Sequence, residues 1–137
     1  MEWLVFAVLS AFTASLVTIF GKIGLADVDP GVASFVRAGI MFAFLAGFAF
    51  FSGKLNFSSI NRNALFYIIL AGIAGAISWI FYFFALQRGD ATRVASIDRL
   101  SIVMVLVFSL LFLGEKFDWK VIAGVIAMVV GAILVII

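Results

Sequence analysis

Histidine and cysteine are both absent from the 137 residues, and charged residues make up only 12% of them. Without cysteine there is no disulfide, thiol nucleophile or thiolate metal ligand. Without histidine there is no imidazole base, proton relay or imidazole metal ligand. No nucleophile–base pair stands out, and no glycine loop has phosphate-binding spacing. The sequence therefore reads as neither an enzyme nor a metalloprotein, and it implies no cofactor. The net charge of +2 comes from scattered bases, so there is no electrostatic footprint for nucleic acid.

What the chain does contain is apolar. Hydrophobic residues make up 66% of it, against about 45–50% in ordinary soluble domains, and the mean hydropathy is +1.34. A soluble chain of this size could not hide so much apolar surface, so the expected solvent is a bilayer. Phenylalanine, with 17 copies against three Trp and two Tyr, reads as lipid-facing and interhelical bulk.

Five apolar segments, at about 3–24, 31–51, 64–87, 93–113 and 119–137, each match the ~20 residues of a spanning helix. None shows the short period-two alternation of barrel strands. The expected fold is an all-α integral membrane protein with five transmembrane helices in one bundle, residues 1–137 forming a single domain. Asp29-Pro30 predicts an N-cap followed by proline at the first helical position. Ser58, Ser59, Asn61 and Asn63 offer caps for the third helix, and Gly89-Asp90-Ala91-Thr92 a turn and cap for the fourth. Gly114 to Asp118 closes the fourth helix and caps the fifth. The first segment is too long for a signal-peptide core and lacks a basic flank before it.

Small residues recur at helix-contact spacing: Ala7, Ala11, Ala14 and Thr18; Gly39, Ala43 and Gly47; Ala71, Gly75 and Ser78; Ala123, Ala127 and Gly131. Such stripes let helices approach closely in lipid, and four together predict tight bundling. Five spans put the termini on opposite sides. Lys54, Arg62, Lys116 and Lys120 fall on the N-terminal side, and Lys22, Arg88 and Arg93 on the other, with Arg37 and Arg99 inside helices nearer that second side. The positive-inside rule needs an excess on one side; this near balance predicts either insertion in both orientations with antiparallel self-pairing, or loops too short for the rule to register. Trp3, Tyr67 and Trp119 mark the N-terminal-side interface.

The stretch VASIDRLSIVM, residues 94–104, sets Asp98 and Arg99 about one and a half turns inside the fourth helix. A charge at mid-bilayer costs roughly 2.5–3.5 kcal/mol on insertion scales. Arg99 can snorkel outward, which suits a headgroup contact. Asp98 is too short to do so and needs protein or a water-filled cavity. Arg37, about two turns into the second helix, is the first candidate partner, and Lys22 the second. Such a group either forms a cavity that binds substrate or exchanges a proton, or forms an ion pair that fixes helix register. Ser101, three residues after Asp98, and Ser78, Trp79 and Tyr82 on the third helix could line the same pocket, the aromatics giving a wall for an organic or cationic solute. Interhelical packing and hydrogen bonding would place them equally well.

GKIGL at 21–25, SWIFYFFALQRGDATRVASIDRLSIV at 78–103 and LFLGEKFDWKVIAGVIAMVVGAILV at 111–135 resemble the EamA family of the drug/metabolite transporter superfamily. The last stretch carries a Leu-Gly-Glu signature before a small-residue helix. The likeness covers nearly the whole chain and fits one half of the ten-helix members, as in the five-helix, half-size branch. Ser96 stands where that branch is expected to carry proline. The resemblance implies a multi-pass transporter of the cell (plasma) membrane moving a small organic solute. In inverted-repeat transporters the substrate lies between repeats near the midplane. A lone half rebuilds that site by pairing antiparallel with a copy or a paralogue. The alternatives are a flippase for a lipid-linked substrate, its phosphate met by Arg37, Arg88, Arg93 and Arg99, and a non-transporting membrane subunit.

Overall fold

A computed structural model describes residues 2–53 and 60–137. Lys54, Ser58 and Ser59 lie outside the described residues. Most of the described residues are helical, with no strand among them. The helices are α1 (Glu2–Gly24), α2 (Pro30–Phe51), α3 (Arg62–Arg88), α4 (Ala91–Asp98), α5 (Ser101–Phe108), a π-helical turn (Ser109–Leu113) and α6 (Trp119–Ile136). With α4, α5 and the π turn taken as one span, five helical spans among the described residues are long and apolar enough to cross a membrane. At about 1.5 Å per residue, the 18 residues of α6, the shortest, reach about 27 Å. Helix is the expected state of such runs because lipid offers no partner for backbone N–H and C=O groups.

Local chemistry sets several of the boundaries. Asp29 caps α2: its Oδ1 accepts from the Gly31 N–H at 2.8 Å and the Val32 N–H at 3.1 Å, and Pro30 takes the first helical position. Asn61 caps α3 by accepting the Ala64 N–H at 2.7 Å, whereas Asn63 falls inside the helix. Asp90 and Asp118 stand at the N-caps of α4 and α6 with extended backbones, but neither side chain bonds a helix N–H. Asp90 instead lies 3.6 Å from the Arg93 Nε in an exposed pair.

The fourth span is not the single regular helix that the sequence predicts. After Asp98 the backbone tightens: the Leu100, Ile102 and Val103 amides donate to the carbonyls of Ile97, Arg99 and Leu100, each three residues back. This is 3₁₀ bonding. The span contains no proline, so this joint is not a proline kink. Just before it, the Ser96 hydroxyl donates to the Thr92 carbonyl at 2.9 Å, a back-bond that bends helices. At the far end the helix widens over Ser109–Leu113, and Gly114 ends it with a φ of 64°, a left-handed conformation that suits glycine. The Gly114 and Glu115 amides both donate to the Ser109 carbonyl.

The chain divides into two compact units: residues 1–19 with 88–137, and residues 20–87. In the first, α4 packs against α6, and Thr18, Ser109 and Ala132 are buried. In the second, Leu25, Phe83 and Leu86 form the core, with Leu25 and Leu86 almost wholly enclosed. Most large apolar side chains are exposed on the isolated chain, Phe35 and Phe51 above 80%, as expected of a surface whose solvent is lipid.

The glycines of the small-residue stripes contribute little packing inside either unit. Among the described residues, and apart from the adjoining backbone of its own helix, no atom of its own unit lies within 4 Å of the place a Cβ would take at Gly39, Gly47, Gly75 or Gly131. The close approach is at Gly21, where an added Cβ would stand 3.2 Å from the Leu86 Cδ2.

Candidate functional site

In the second unit, polar side chains close off helix ends. A helix leaves its last four carbonyls without intrahelical partners. The Lys22 Nζ donates to one of them, that of Leu86 near the end of α3, at 2.7 Å. A cation at a helix C-terminus is also favoured by the helix dipole. The Gln87 Nε2 donates to the carbonyls of Val28 at 3.0 Å and Leu25 at 3.4 Å, which pins the α1–α2 connection to α3. Gly21 permits this contact because a larger residue would meet Leu86. Lys22, a candidate partner for Asp98 or substrate in the sequence, is thus engaged by backbone.

Arg37 leaves α2 half-buried and lies over the ring of Trp79 on α3, its guanidinium carbon 3.5 Å from the ring centroid. Phe83 is a more distant neighbour at 5.9 Å. Trp79 is braced in turn by Tyr82 at 5.4 Å and Phe83 at 5.6 Å, both edge-on. The structure therefore brings three expected site residues, Arg37, Trp79 and Tyr82, into one cluster. Ser78 is exposed beside it on α3.

The first unit has a cavity, open on one side, of about 330 Å³ between the C-terminal half of its α1 portion and the start of the fourth span. Ser15, Thr18, Thr92, Ser96 and Arg99 give it a polar wall, and Ile19, Ala91 and Ala95 an apolar one. The hydroxyls of Ser15, Thr18 and Ser96 donate to the carbonyls of Phe12, Ala14 and Thr92. Arg99 brings positive charge and hydrogen-bond donors to the lining.

Asp98 ends α4 and is exposed on the isolated chain, and among the described residues of its own unit no base forms an ion pair with it. Ser101, exposed at the start of α5, lies across the 3₁₀ joint from it. Arg99 is the expected site residue that reaches the cavity. The sequence reading missed the pairing of Thr92 with Ser96 and of Ser15 with Thr18 as a hydroxyl wall. Their spacings of four and three residues carry that signal, since such residues share a helix face.

A family model described as the EamA-like transporter family matches residues 1–137. A protein of Sinorhizobium sp. named "Uncharacterized transporter in cobO 3'region" is 38% identical over 134 residues, covering 97% of this chain and 95% of that protein. No solved structure matches.

Proposed function

Because the chain belongs to the EamA-like transporter family, we propose that it is a secondary transporter moving a small organic solute or metabolite across the plasma membrane as an antiparallel homodimer. The observation that carries this reading is the cavity of about 330 Å³ in the first unit. Solute pockets run from about 300 to 1,000 Å³, and hydroxyls with one guanidinium suit a polar metabolite better than a lipid tail. Arg99 orients the solute.

Asp98, next to Arg99, is the coupling carboxylate. A short carboxylate cannot rest against acyl chains, yet this one is exposed on the isolated chain. A second copy, inserted the other way up, covers it and supplies the inverted half that places a site between repeats. The near balance of bases between the two sides favours that dual insertion.

Reconstitution into liposomes tests the reading. A panel of radiolabelled small organic solutes is screened for uptake driven by a pH gradient. Asp98→Asn is expected to abolish gradient-driven uptake while leaving a folded protein. Retained coupling excludes Asp98 as the sole proton site. The native chain has no cysteine, so a single cysteine introduced at one terminus reports orientation cleanly. Labelling of that terminus from both sides of the membrane is expected, and strictly one-sided labelling rejects the antiparallel dimer.

A further inference from the structure

We propose that Arg37 and Trp79 form a binding site for an oxyanion, a carboxylate or phosphate group, within the second unit. The site is built wholly from residues 20–87 and does not rest on the transport reading. Three observations carry it. The guanidinium lies 3.5 Å above the Trp79 ring, so its flat face is occupied while its N–H edge is left for a partner. Stacking of this kind holds the planar fork in one orientation. Tyr82 and Phe83 brace the indole edge-on, so the platform itself is fixed.

The second observation is the missing counter-ion. The acids of residues 20–87 are Asp27 and Asp29, both in the connection between α1 and α2. Asp29 directs Oδ1 at the Gly31 and Val32 amides, so it serves as a cap. Among the described residues of this unit, Arg37 makes no ion pair and no hydrogen bond. The third observation is depth: Arg37 sits seven residues into α2, half-buried, on a helix with no other charged residue. A cation so placed favours a visiting anion, and a fixed guanidinium fork matches the two oxygens of a carboxylate or phosphate. That anion comes either from a soluble solute or from a lipid headgroup.

The full chain with Trp3→Phe and Trp119→Phe keeps Trp79 as its single tryptophan, and both replaced rings are exposed. In dodecyl maltoside, which has neither charge nor phosphate, Trp79 emission is followed in one arm during titration with sodium acetate or sodium phosphate against sodium chloride at equal ionic strength. In the other arm phosphatidylglycerol is added. A saturable response to acetate or phosphate beyond that of chloride supports the site with a soluble anion as its source. A response to phosphatidylglycerol alone supports it with the headgroup as source. Arg37→Gln is expected to bind about ten- to a hundredfold more weakly, the loss of charge-assisted hydrogen bonds. Arg37→Lys, which keeps the charge but loses the fork and its stack, is expected to fall between the two and decides the matter if the glutamine variant does not fold. No response beyond chloride in either arm, or lysine-variant affinity equal to the parent's, overturns the proposal.

Discussion

Two sets of polar side chains, one in each unit, are used in different ways. In residues 20–87, Lys22 and Gln87 reach backbone carbonyls more than 55 residues away in sequence and close the ends of helices. In the other unit, Ser15, Thr18 and Ser96 bond carbonyls three or four residues back on their own helix and face a hollow. The first arrangement ties α1, α2 and α3 together. The three bonds of the second each stay within one helix. Polar residues in an apolar chain are therefore no single class: some bridge to distant backbone, and others bond the helix that carries them.

This contrast can be broken by substitution. The largest effect is expected at Lys22. Lys22→Met strips the Leu86 carbonyl of its ammonium and is expected to cost about 1.5–3 kcal/mol, read as a lower midpoint in denaturant unfolding in detergent. If stability holds, Lys22 is not a structural clamp. Ser96→Phe in the first unit is expected to do the reverse. It projects a ring into the cavity, lowering solute uptake by about tenfold or more with little change in the unfolding midpoint. Uptake equal to the parent's would remove the cavity from the pathway. The smallest effects sharpen the comparison at two aspartates. Asp29→Ala removes a cap with two bonds to helix amides and is expected to cost about 1 kcal/mol. Asp90→Ala removes an exposed pair and no cap bond, so about 0.5 kcal/mol or less is expected. Equal costs would show that Asp90 caps α4 after all.

What could be read in advance divides along the same line. Five apolar helices were legible because length and hydropathy suffice for them. The Asp29-Pro30 start of α2 and the Gly114 stop were legible because caps are local and carry residue-specific chemistry. The contact of Lys22 with Leu86 was not, since nothing local signals a partner 64 residues on. For Arg37 the expectation was a carboxylate, because charge suggests charge; within its own unit the neighbour is the face of Trp79. The aromatic was already among the candidates, but periodicity alone does not say which ring a guanidinium covers. Small-residue stripes suggested close packing, yet within each unit glycines 39, 47, 75 and 131 leave open space. The 3₁₀ joint after Asp98 was hidden for a plainer reason: no glycine or proline stands between Asp98 and Ser101.

The widened turn at Ser109–Leu113 fits one residue more than an α-helical turn holds, and the carbonyl of Ser109 takes up the slack by accepting two amides. A one-residue deletion there has a definite geometric result. The segment rewinds to 3.6 residues per turn, and every side chain upstream on the span, Arg99 included, swings by about 100° relative to α6. Where Arg99 aims is thus fixed by a spare residue ten positions downstream.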